Sequence, residues 1–197
     1  MYDYGNMSDQ EQREVVSRRY LLGFPLHEPP HYPDGLQLYL ITGACFRHQP
    51  IMNSEERRGY FQDQLLNTLS PIPDVDIRAW VVLPNHYHVL TAVDLARIKA
   101  ALARLHNGTA TRWNREDAVP GRRVWFRFSD RRIRSERHYY ASLNYVHGNP
   151  VKHGHVAKAT EWPCCSVHEW TEKYGRDWML ELWRDYPVKH FGKGWDD

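Results

Sequence analysis

The chain has 197 residues, 42% of them hydrophobic, and a formal net charge of +2, the size of one domain with extended arms and enough apolar mass for a real core. No apolar run approaches the ~20 residues that a membrane span needs, and the opening MYDYGNMSDQEQREVV is too polar for a secretory signal. Three cysteines (Cys45, Cys164, Cys165) without C-x-x-C spacing fit a reduced, cytoplasmic protein.

In chain order, residues 1–33 are polar, then proline-rich, and read as an N-terminal arm. Residues 36–46 (LQLYLITGACF) fit a first strand. Ser54 can cap a helix whose first turn holds Glu55 and Glu56, with Phe61, Leu65 and Leu69 as its buried stripe and Ser70-Pro71 as its end. Residues 77–83 (IRAWVVL) read as a strand, Pro84-Asn85 as a turn, and 86–93 (HYHVLTAV) as the antiparallel neighbour. Asp94 can cap a helix with the stripe Leu95, Ile98, Leu102 and Leu105, ending at Gly108 or running on toward Asn114. Residues 124–128 read as a short fourth strand. Ser135 caps a last helix running to about Gly148, where Asn149-Pro150 stops it. This order of elements argues for an α+β sandwich with helices on one face of a mainly antiparallel sheet. Residues 34–156 read as one folded domain, and 157–197, rich in tryptophan, as a C-terminal tail that packs on or near it.

Charge is unevenly distributed. Between Arg97 and Arg137 stand 12 Lys or Arg against four acids, so the rest of the chain is net acidic. A basic stretch of this density fits a polyanion surface, and it fits a solvated arginine-rich face equally well. Trp113, Trp125, Phe126 and Phe128 interleave it and read either as stacking partners for bases or as core.

Two patterns carry chemistry. In the strand His86-Tyr87-His88, residues two apart share a face, so both imidazoles can converge on one divalent ion; the same spacing also occurs as an ordinary surface pair. On the last helix, His138, Ser142, Tyr145 and Asn149 recur every three or four residues and share a polar stripe. Asn149, one turn after Tyr145, can offer an amide oxygen to whatever Tyr145 attacks, and the bland reading is a tyrosine beside a polar helix cap. A cation on a phosphodiester and a tyrosine hydroxyl held near it are the components of phosphoryl transfer to tyrosine.

RAWVVLPNHYHVL, the basic VWFRFSDRRIRSERH, LNYVHGNPVKHG and EWPCCSVHEW resemble stretches of the HUH single-tyrosine transposases, specifically the REP-associated tyrosine transposase branch. The resemblance spans about 77–170 and implies a ferredoxin-like fold with the histidines on a central strand and the tyrosine on a helix facing them. It implies His86 and His88 as metal ligands, Asn149 as a third, amide-type ligand, Mg2+ or Mn2+ as cofactor, and Tyr145 as the nucleophile that forms a 5′-phosphotyrosine and frees a 3′-hydroxyl. The implied substrate is single-stranded DNA folded into imperfect palindromic hairpins. Arg112, Arg122, Arg123, Arg127, Arg131, Arg132, Arg134 and Lys152 are the expected DNA contacts. The branch implies a monomer, with the dimer of insertion-sequence relatives left open. Two other readings remain: a hairpin-binding protein without catalysis, and an unrelated metallohydrolase in which Tyr145 is dispensable.

Overall fold

The computed structural model describes residues 36–188, together with Gln10; the expected arm over 1–33 (Gln10 apart) and the end of the expected tail, 189–197, lie outside the described residues. Strand β1 (Gln37–Ala44) leads through a 3-10 turn to helix α1 (Glu55–Leu69), and the hairpin of β2 (Asp76–Val82) and β3 (His86–Val93) follows. Then come α2 (Leu95–Glu116), β4 (Ser129–Arg132) and α3 (Glu136–Lys152), with α4 (Val167–Tyr174) and α5 (Arg176–Asp185) completing the described chain. The sheet order is β2-β3-β1-β4 with every pairing antiparallel. That order and the βαββαβ sequence of elements make a ferredoxin-like α+β fold.

The expected caps form. Ser54 Oγ accepts from Arg57 N–H, Asp94 Oδ1 from Ala96 N–H, and Ser135 Oγ from His138 N–H, each satisfying an amide that the first helical turn leaves open. Helix α2 runs past Gly108 to Glu116, because Leu105, His106, Thr109 and Trp113 are buried and packing outweighs the glycine's poor propensity.

Helices α1 and α2 occupy one face, as expected. Tyr87 points to them and meets Phe61 of α1 and His106 of α2. Its ring lies so close to β1 that a Cβ on Gly43 would be 2.2 Å from Tyr87 Cε1. The sheet has a second cover: His86 and His88, on the opposite face of β3, meet α3. All eight residues of β3 are therefore buried.

Two boundaries differ from expectation. The fourth strand is Ser129–Arg132, not 124–128. Trp125 makes only an isolated bridge to Cys45 and turns inward against Phe61 and Trp113, stacked 4.4 Å from His106. The apolar signal there marks a core plug, while the true edge strand is exposed throughout and charged. Helix α3 also does not stop near Gly148; it runs through Pro150 to Lys152. Proline removes one backbone donor and usually breaks a helix, but Pro150 is itself buried.

The chain after Val156 packs on the domain. Val82 N–H donates to Cys164 O, Ser166 N–H to Trp80 O, and Trp80 N–H to Ser166 Oγ, so this segment lies along the outer edge of β2. The indoles of Trp162 and Trp170 donate to the carbonyls of Val82 and Arg78. From the other side, Asn144 Nδ2 donates to the carbonyls of Leu182 and Tyr186, tying α3 to the end of α5.

Candidate active site

Pairing with β1 and β2 puts β3 in the middle of the sheet, with His86 opposite Ala44 and His88 opposite Thr42. The two imidazole rings stand 5.0 Å apart, edge to face. Each ring is oriented through Nδ1. Thr42 Oγ1 lies 2.7 Å from Nδ1 of His88, so Nε2 is the nitrogen His88 can offer a cation. Asn85 Nδ2 donates to the His48 carbonyl, which turns Asn85 Oδ1 toward His86 Nδ1 at 2.7 Å. An acceptor there keeps the proton on Nδ1 and the lone pair on Nε2, the arrangement that supporting groups impose on metal-binding histidines.

Helix α3 brings the rest. Asn149 Oδ1 is 3.0 Å from His86 Nε2, and the Tyr145 ring meets His88 edge-on at 5.0 Å. The Lys152 ammonium sits 5.0 Å over the Tyr145 ring, and the His153 ring lies 5.0 Å from that of His86. His86, His88, Tyr145 and Asn149 are all buried, so a ligand from solvent reaches Tyr145 only after a rearrangement. Among the described residues no group of three or more His, Cys, Asp or Glu side chains could hold a metal; an ion here would rely on two imidazoles and an amide. The donor set fits one. With the lone pair on His86 Nε2, that nitrogen and Asn149 Oδ1 are two acceptors facing each other at 3.0 Å. A shared cation satisfies both, as does a second proton on His86 or an Asn149 amide turned end for end.

The arginines divide between the two sides of the sheet. On the edge strand, Ser129 pairs with Thr42, the residue beside His88, and Arg131 pairs with Leu40, so Arg131 shares the histidine face. Arg131 and Arg134 also sit close enough to His138 to lower its pKa, after the larger effect of burial. Arg132 points to the other face of the strand. Arg127 and Arg134 are exposed on the segments around it. Arg112 and Arg122 belong to the α1–α2 side: Arg112 stacks over Tyr60 at 3.8 Å and pairs with Glu116, and Arg122 pairs with Asp117. Hydrogen bonds from Arg57 and then Arg122 hold the Asp117 carboxyl down at about 2. Arg123 lies over the ring of Phe46 at 4.6 Å.

Sequence reasoning missed Thr42, Asn85 and His153. Thr42 acts through strand register, which the local sequence does not carry. Asn85 precedes His86 in a turn and reads as turn chemistry alone. The four-residue step from Asn149 to His153 was a visible signal, on one helix face with Tyr145. The cysteines take no part. All three are free and buried, and burial pushes the Cys45 and Cys165 thiols up to about 12, far from thiolate at neutral pH.

No protein-family model matches the chain. It is 30% identical to an Escherichia coli K12 protein named REP-associated tyrosine transposase, over 54% of this chain and 64% of that protein. It is also 30% identical to a Haemophilus influenzae protein given the same name provisionally, over 49% of this chain and 62% of that one. A solved structure of a REP-associated tyrosine transposase bound to a REP hairpin matches with a TM-score of 0.53 and 22% identity, covering 72% of this chain and 82% of that one. The chain resembles the REP-associated tyrosine transposases. The matched stretch spans less than two thirds of either curated relative, and the solved structure supports the shared fold. No helix among the described residues is long and apolar enough to cross a membrane.

Proposed function

We propose that the chain cleaves and rejoins single-stranded hairpin DNA, with Tyr145 as nucleophile and His86, His88 and Asn149 holding a Mg2+ or Mn2+ ion. The observation that carries this reading is the convergence of residues some sixty positions apart: Tyr145 against His88 and Asn149 against His86, both from α3. A bound ion would offset the negative charge of the phosphodiester and make phosphorus open to attack. Two imidazoles favour Mn2+ on donor chemistry alone, since Mg2+ prefers oxygen.

The chain's own residues would do the rest. Tyr145 Oη attacks phosphorus; the Tyr O–P bond forms as the P–O3′ bond breaks, and the phenolic proton is balanced by the proton the departing 3′-oxygen acquires. The product is a 5′-phosphotyrosine that retains the bond energy, so a second 3′-hydroxyl can attack it and restore the phenol. Lys152, already beside the Tyr145 ring, supplies positive charge to that phosphate. Arg131 and Arg134, with Arg127 nearby, would line the approach on the histidine face, while Arg123, Arg132, Arg112 and Arg122 contact DNA that extends beyond it. The domain spans 34–156 in this reading, and it acts as a monomer in the cytoplasm.

The test is a denaturing gel with labelled single-stranded hairpins, with and without Mn2+. A metal-dependent cut with a covalent protein–DNA band, absent in Tyr145→Phe while hairpin binding persists, is the expected result. Cleavage that survives Tyr145→Phe removes the nucleophile and favours the metallohydrolase reading. A tight complex never cut in any metal favours a binding protein without catalysis.

A further inference from the structure

Between α3 and α5 the described chain holds a cavity of about 870 Å3 that the tyrosine and histidines do not use. Its volume lies within the roughly 300–1,000 Å3 of small-molecule sites. Helix α3 lines it with Asn144, Gly148 and Val151, one stripe at steps of four and three. Tyr145, Asn149 and Lys152 form the neighbouring stripe, one residue further along, so the cavity adjoins the candidate active site without including it. Helix α5 lines it with Arg176, Leu180 and Trp183 at the same steps. Val151 and Leu180 are two of the three exposed large apolar side chains among the described residues, so these walls are apolar surface left uncovered.

The cavity is polarised along α5. That helix begins at Arg176, and its N-cap, Gly175, has no side chain to satisfy the amides of the first turn. Lys158 also lines the cavity. Both cations are exposed, neither forms an ion pair with an acid among the described residues, and no Asp or Glu lines the cavity. Trp183 stands about 10 Å from Arg176 at the helical rise. Asn144 Oδ1 and Trp183 Nε1, an acceptor and a donor, are buried without a hydrogen-bond partner, and Asn144 as a whole is only 1% exposed. Buried polar atoms are seldom left unpaired.

An uncovered apolar wall, cations without counterions and unpaired polar atoms at depth are the components of a site for a molecule with one charged end. We infer that the cavity binds a small organic anion, a carboxylate or sulfonate carried on an elongated apolar frame about 10 Å long. The anion meets Arg176, Lys158 and the open amides at the start of α5. The frame packs on Val151, Leu180 and Trp183, and an N–H or O–H on it satisfies Asn144 Oδ1. This site stands independently of the DNA reading above.

The experiment titrates two fluorescent probes into the full chain and records the melting temperature in parallel. Anilinonaphthalene sulfonate has the anion, the N–H and the length; phenylnaphthylamine is the same frame without the sulfonate. The sulfonate should bind one molecule per chain, about tenfold or more tighter than the neutral probe, and raise the melting temperature. Gly148→Leu fills the cavity without disturbing the helix, because a Cβ there meets nothing within 4 Å and leucine suits a helix better than glycine. It should stay folded, lose about tenfold or more in sulfonate affinity and show no probe-induced rise in melting temperature. Lys158→Ala/Arg176→Ala should erase the preference for the anion and leave neutral-probe binding unchanged. Full sulfonate affinity in Gly148→Leu, or an equal loss of both probes in the double variant, overturns the inference. A wild-type chain that binds neither probe also overturns it and leaves the cavity to another occupant, such as a second copy of the chain.

Discussion

Thr42→Val isolates one hydrogen bond behind the candidate metal site. Thr42 Oγ1 lies 2.7 Å from His88 Nδ1, and valine replaces the hydroxyl with a methyl of nearly the same shape. Ring orientation and basicity both depend on that partner, and removing such supports lowers metal affinity by roughly 10- to 100-fold, or about 1.4–2.7 kcal/mol. A second cost falls on the protein without metal, because a buried ring nitrogen that loses its partner costs about 1–3 kcal/mol in stability. The assay is direct titration of Mn2+ followed by calorimetry or by its magnetic resonance signal, with the melting temperature recorded in parallel. Thr42→Ser, which keeps the hydroxyl, should restore most of the affinity. Unchanged Mn2+ affinity in Thr42→Val, alongside the stability loss, would show that His88 is a structural histidine and not a ligand.

Other expectations address the scaffold and the proposed DNA surface. Burial holds His106 down to about 4 from 6.5; the unfolded chain therefore binds the proton first, and stability present above pH 6.5 is lost as pH falls toward 4, by about 3 kcal/mol in all. His106→Leu should flatten the acid limb of a melting-temperature profile, and an unaltered limb would assign it elsewhere, with His147, held down to about 3 by burial, the next group to examine. Gly43→Ala drives a methyl into the Tyr87 ring and threatens its bond to His106 Nε2 at 3.0 Å. A loss of about 3 kcal/mol or more in denaturant unfolding is expected from overpacking and the broken bond together. Arg131→Glu with Arg134→Glu should weaken hairpin binding and shallow its salt slope by about one per lost phosphate contact. Arg112→Glu, already in a local ion pair on the α1–α2 side, should change the slope less; equal effects would mean that DNA wraps both faces.

The sequence carried the order of elements and the two halves of the candidate site because both are local properties. Caps at Ser54, Asp94 and Ser135 are read from single side chains, and His-x-His on a strand guarantees a shared face. Losses came where distant residues decide. The run 124–128 looked like a strand because its rings are apolar, yet Trp125 turns its ring into the gap between α1 and α2. The true strand has no apolar alternation to betray it. Pro150 looked like a stop because the local penalty is real, and only burial on both sides of α3 shows why the helix continues. Thr42 and Asn85 were invisible as site residues for the same reason: their partners are set by register and by a turn's hydrogen bonds.

The lateral margins of the sheet raise a different matter, that of self-association. An open margin is a template for any passing strand. On one side that hazard is met by four consecutive exposed residues, two of them arginines, in β4; on the other, Cys164 and Ser166 hydrogen-bond to β2 and fill the margin with the chain's own backbone. The two guards are unequal. Repulsion between arginines fades in concentrated salt or when a polyanion neutralises them, whereas the backbone guard does not. A chain cut before Trp162 would keep its histidines and its tyrosine and still be prone to polymerise, because solubility is vested in residues remote from the chemistry.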